Sequence, residues 1–181
     1  MYIEEIKQST KEILTQWKNV YGFAPNSVAN KLADAKLDWI IQLTDSLEIW
    51  TKKHAFLTEG ELLLARANIG AVVEGWLKFF YCVYYEDYKV NPVKTTREEM
   101  IEPNDLNFER LKQFSRGKLW ELNDEWDKWI ASIQHKRNAI HAFNNRDIGN
   151  AFMFINDVEK LKDFIELVNT SIPDISEFYS W

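Results

Sequence analysis

WDKWIASIQHKRNAIHAFN, residues Trp126–Asn144, is the stretch on which the reading of the whole chain turns. At 3.6 residues per turn it predicts a helix with Trp126, Trp129, Ile130, Ile133 and Ile140 on one stripe. Arg137 falls in the middle of that stripe, and His141 follows one turn later near its edge. Residues four apart share a helix face, so the two side chains are expected to meet. A guanidinium on an apolar face is costly unless it is paired or lines a polar cleft. Two accounts are therefore open. In one, Arg137 is tied to a buried carboxylate such as Glu74. In the other, the cluster is reactive: imidazole moves protons near neutral pH, Arg137 stabilises charge on a phosphoryl oxygen, and Asn138 donates to the same group. RNA would bring its own nucleophile, the 2′-hydroxyl, so no metal is needed.

Outward from this stretch the pattern is helical throughout. Tyr2, Ile3, Ile6, Ile13, Leu14, Trp17, Val20 and Tyr21 predict a first helix over about 2–21, broken by Gly22 and Pro25. Asn26 or Ser27 is placed to cap a second, which carries Leu32, Trp39, Ile40, Leu43, Leu47 and Trp50 on one face and ends in Lys52, Lys53 and His54. Thr58-Glu59-Gly60-Glu61 has capping-box spacing and opens the longest helix, to about Tyr88. Arg66 lies on its apolar stripe, a second guanidinium where none is expected. Gly70 and Gly75 lower helix propensity there unless another helix approaches closely. Residues 91–103 form an irregular connection with one short helical turn, a shorter helix covers about 105–114, and Asn123 is placed to cap the helix quoted above, which runs to about Phe143. A last helix starts near Asn150 and stops before Pro173, and the aromatics Phe178, Tyr179 and Trp181 imply that the tail packs. The expectation is one all-α domain over 1–181, an up-and-down bundle of about five main helices.

Composition narrows the function. Hydrophobic residues make up 46% of 181, with eight Trp, enough for a real core. The net charge of −6 argues against a broadly basic nucleic-acid platform while leaving room for a local basic patch. One Cys excludes an internal disulfide, and the start MYIEEIKQST has no basic, then apolar, leader pattern. The run Ile69–Tyr85 is interrupted by Glu74 and Lys78, so it reads as a buried helix rather than a membrane span. A cytoplasmic protein without membrane contact is expected. Neither HExxH, CxxC nor EF-hand spacing occurs, and neither does a Gly-rich phosphate loop. No metal and no cofactor is expected. Cys82 reads as buried filler, and the acidic run Glu121, Asp124, Glu125 and Asp127 as a complement to a helix dipole.

HKRNAIHAF near the end of an internal helix, followed by a turn and a last helix, resembles the HEPN superfamily, as does RANIGAVVEGWLKFF on the long helix. The resemblance covers Arg66 to Phe80 and Trp126 to about Val168. It implies a homodimer in which the Arg–His helices face each other across a cleft. In active members that cleft is a metal-independent ribonuclease site, which maps onto Arg137, Asn138 and His141, in a toxin or phage-defence setting with a nucleotidyltransferase-type antitoxin as partner. Two departures stand out: only three residues separate Arg137 from His141, where the family has four to six, and Phe143 stands where some members carry a modifiable Tyr. A non-catalytic HEPN-fold dimerisation or binding module is the alternative. A third reading is an unrelated helical scaffold in which Arg137 pairs with a core acid.

Overall fold

The computed structural model describes residues 2–141 and 145–175, which hold eight α-helices and no strand: α1 (Tyr2–Trp17), α2 (Asn26–Asp34), α3 (Leu37–Lys53), α4 (Glu59–Val83), α5 (Tyr85–Val90), α6 (Phe108–Ser115), α7 (Glu125–Arg137) and α8 (Ala151–Thr170). The all-α architecture expected from the periodicity is present. Phe143, Phe178, Tyr179 and Trp181 lie outside the described residues.

Helix α4 is the axis. Its start is fixed by the Thr58–Glu61 capping box, in which Thr58 Oγ1 accepts from the Glu61 N–H and the Glu61 carboxylate accepts from the Thr58 N–H. Four orphan N–H groups stand at any helix start, and this motif satisfies two of them. Beyond it, Ile69, Val72, Val73, Trp76 and Leu77 are fully buried. Each such side chain contributes about 1.5–3 kcal/mol of burial. Helices α3, α7, α8, α2 and α6 pack around this axis, and α1 closes the bundle against α3 and α8. No helix is long and apolar enough to cross a membrane among the described residues.

Gly70 and Gly75 earn their place by contact. A Cβ on Gly75 would lie 2.9 Å from Ile40 Cγ1 on α3, and one on Gly70 would lie 2.3 Å from Arg137 Cγ and 2.5 Å from Arg137 Cβ on α7. Only glycine lets both neighbours approach so closely. Arg66 is fully buried, with Nη1 donating to Asp157 on α8 and Nε to the carbonyl of Ile148. Burial pulls its pKa below the ordinary guanidinium value, and Asp157 and then Asp147 oppose that pull.

Several boundaries differ from the sequence reading. The first helix stops at Trp17, because Val20–Ala24 folds into a turn with Gly22 at φ +87°. The second expected helix is two, α2 and α3, separated at Ala35–Lys36, and neither Asn26 nor Ser27 caps α2. The long helix ends at Val83 and gives way to α5. Residues 94–100 form a tight turn with an antiparallel bridge between Lys94 and Met100, in place of a helical turn. Asp124, not Asn123, caps α7 by accepting from the Asp127 N–H. Asn123 sits at φ +66° and donates its N–H to Asp127, whose carboxylate Arg116 also clamps. The expected start of the last helix holds, since Asn150 accepts from the Met153 N–H.

Candidate functional site

The quoted helix does not run on to Phe143. It ends at Arg137, and Asn138–His141 form a 3-10 turn. The difference matters for the Arg–His pair. Along an α-helix, residues four apart are separated by about 40° around the axis. At three residues per turn the same step is about 120°. The tightening therefore swings His141 away from the position above Arg137 that an uninterrupted helix would give it. The face assignment shifts as well. Lys136, not Arg137, is the cation stationed among apolar side chains, buried beside Trp129, Ile130 and Ile133, while Ile140 is exposed.

Lys136 is neutralised where it sits. Its Nζ donates to Asp157 at 3.0 Å, and the Trp129 indole N–H donates to the other oxygen of the same carboxylate at 3.0 Å. With Arg66 the carboxylate serves two cations and one neutral donor, all within the bundle. This cluster joins α4, α7 and α8 from inside and is largely shielded from solvent.

Arg137 has a different setting. Its stem crosses Gly70 on α4, Nη2 donates to Glu74 at 2.9 Å, and Nη1 donates to the side-chain oxygen of Asn138 at 3.3 Å. The pairing with Glu74 foreseen as the structural account is thus present. It does not bury the guanidinium, whose side chain remains 32% exposed. A guanidinium has five N–H donors. Two of them have partners among the described residues, Glu74 and Asn138. Glu74 is shared, since Lys78 reaches its other oxygen at 2.9 Å. His141 is exposed at the end of the same segment.

Arg137 and Glu74 stand on the wall of a cleft of about 630 Å³ between α4 and the α2–α3 corner. Lys31, Lys36, Lys78 and Arg137 line it against only Asp34 and Glu74, an excess of two positive charges in a chain of net −6. Lys31 is paired with Glu102 at 2.8 Å, whereas Lys36 enters no ion pair among the described residues. Apart from Asn104, the rest of the lining is largely apolar, with Trp39, Ile40, Leu43 and Phe79. Trp39 was expected on the core face of its helix. It is 63% exposed, because the break at Ala35–Lys36 resets the helical phase and puts Leu37 inward instead. The sequence reading missed this cleft; the only local signal was a Lys followed three residues later by a Trp just after an Ala-rich segment.

The remaining candidates are chemically quiet. Cys82 is buried and its thiol is pushed up to about 11 by that burial, so it is a poor nucleophile at neutral pH. No group of His, Cys, Asp and Glu able to hold a metal occurs among the described residues. Asp124 and Asp127 of the acidic run are spent on capping and on Arg116. A second cleft of about 320 Å³ is lined by aromatics whose hydroxyls are already satisfied, Tyr84 by the Ser171 carbonyl and Tyr88 by that of Ile101.

No protein-family model matches the chain, and the comparisons with curated proteins and with solved structures give no match either.

Proposed function

We propose that the chain is a HEPN-like, metal-independent endoribonuclease that works as a homodimer, with Arg137, Asn138 and His141 as the reacting groups of a composite cleft. The observation that carries the reading is the seating of Arg137. Gly70 removes the one atom that would block its stem, and Glu74 holds one edge of a guanidinium that stays 32% exposed, four residues before an exposed imidazole. A planar donor fork held this way suits the non-bridging oxygens of a phosphodiester.

In this reading His141 accepts the proton of the RNA 2′-hydroxyl as that oxygen attacks phosphorus. The new O–P bond closes a 2′,3′-cyclic phosphate, the bond to the 5′-oxygen breaks, and the equivalent imidazole of a second copy supplies the proton to that leaving oxygen. Arg137 stabilises the charge that gathers on the phosphoryl oxygens, and Asn138 donates to one of them through its amide N–H groups. In this reading a second copy completes the site, since the tightening at Asn138–His141 turns the imidazole off the position above Arg137. The corresponding biological role is that of a toxin or defence effector, with a nucleotidyltransferase-type antitoxin as the restraining partner.

Incubating the protein with total RNA in the presence of a chelator tests the proposal. Cleavage that is lost in His141→Ala and in Arg137→Ala is expected. RNA left intact by the unmodified protein would end it.

A second reading, a non-catalytic HEPN-fold binding module, is favoured by one specific feature: Glu74 already answers part of the charge on Arg137. RNA binding without cleavage by the same protein would select it.

A further inference from the structure

We propose that the cleft between α4 and the α2–α3 corner is a nucleotide subsite, in which the exposed face of Trp39 stacks on a base of a single-stranded nucleic acid while Lys36 and Arg137 meet its phosphates. The inference rests on the reading of Arg137 as facing a phosphodiester, and it adds where the flanking nucleotide lies and which residues hold it.

Three observations converge. Trp39 leaves most of its indole in solvent and touches no other ring among the described residues, although a buried indole would gain far more by packing. It sits one turn into α3 from Lys36, and both residues line the cleft. The lining carries an excess of positive charge inside an acidic protein, which favours an anionic ligand. Aromatic platforms beside a basic track are how sequence-tolerant single-strand binding is built.

Ile40, next to Trp39, lies against Gly75, and the guanidinium of Arg137 meets Glu74, the residue before Gly75, so α3 and the guanidinium reach the same level of α4.

Equilibrium binding of a 2′-deoxydinucleotide tests this, because it presents bases and phosphate and lacks the hydroxyl needed for cleavage. Titration calorimetry at low salt should show binding by the unmodified protein and a loss of about tenfold or more in Trp39→Ala. Lys36→Ala should weaken binding severalfold and flatten its salt dependence. Phe56→Ala, an exposed aromatic distant in sequence from the cleft lining, should change nothing. Absence of binding, or equal affinity in Trp39→Ala, overturns the subsite. The outcome is separable from the cleavage assay. Loss of cleavage in His141→Ala with unchanged dinucleotide affinity in Trp39→Ala would leave the ribonuclease and remove the subsite. Trp39-dependent binding by a protein that never cleaves RNA would do the reverse.

Discussion

Replacing Gly70 by Ala sets two effects of opposite sign against each other, and the structure says which wins. Glycine inside a helix is worse than alanine by about 0.5–1 kcal/mol, so propensity alone predicts a more stable protein. The new Cβ would lie 2.3 Å from Arg137 Cγ and 2.5 Å from Arg137 Cβ. The second atom is fixed to the α7 backbone, so no rotamer change removes the clash. Either the end of α7 moves off α4 or Gly70 strains, and overpacking of this kind costs about 1–3 kcal/mol. The displaced guanidinium also loses its place on Glu74, a half-exposed pair contributing at most about 1 kcal/mol. The net expectation is a destabilisation of about 1–2 kcal/mol. Gly60→Ala in the same helix is the control, since nothing lies within 4 Å of the Cβ it would gain, and it should be neutral or stabilising. Equilibrium urea unfolding followed by far-ultraviolet circular dichroism reads both. If Gly70→Ala were stabilised as much as Gly60→Ala, Arg137 could not cross α4 at Gly70, and the seating of its guanidinium against Glu74 would fall with it.

Other consequences follow from the ion pairs. Asp157→Ala strands two buried cations and should destabilise the fold by about 3–5 kcal/mol, whereas Arg137→Ala should cost under about 1 kcal/mol; paired urea titrations would show reversed magnitudes if Arg137 were the structural cation. Glu48, hydrogen-bonded first by Lys52 and then by Lys7 of α1, has its carboxyl lowered to about 2. A depressed carboxyl stabilises the fold above its unfolded value, so this contribution is present above about 4.5 and is lost as pH falls toward 2. Glu48→Gln should accordingly lose stability at pH 7 and show a shallower fall between pH 5 and 2; an unchanged acid limb in the melting temperature would show that Glu48 is unpaired in solution.

How much of this was legible from the sequence differs residue by residue. Thr58 and Glu61 announce a helix start because capping depends on local spacing alone. Arg66 and the glycines of α4 were also legible, since a charge or a missing side chain on a buried stripe has to be answered by a neighbour. The partner of Arg66 was not, because Asp157 is 91 residues away and nothing local links them. The Arg137–Glu74 pair could be named as one option, but whether it buried the guanidinium could not. The misplacements of His141 and Trp39 come from phase. A helix that tightens at Asn138 or breaks at Ala35 turns every later side chain through tens of degrees, which carried His141 off the position above Arg137 and sent Trp39 outward, whereas Lys136 precedes the tightening and its inward place was legible from its spacing to Trp129 and Ile133. Hydrophobic periodicity averages over such local events and does not record them.

Mapping the ends left on RNA by the unmodified protein, with chelator present and beside His141→Ala, tests the central claim most directly. Fragments ending in 2′,3′-cyclic phosphate and 5′-hydroxyl, absent in His141→Ala, are the predicted result. Intact RNA, or fragments produced equally by His141→Ala, would contradict it.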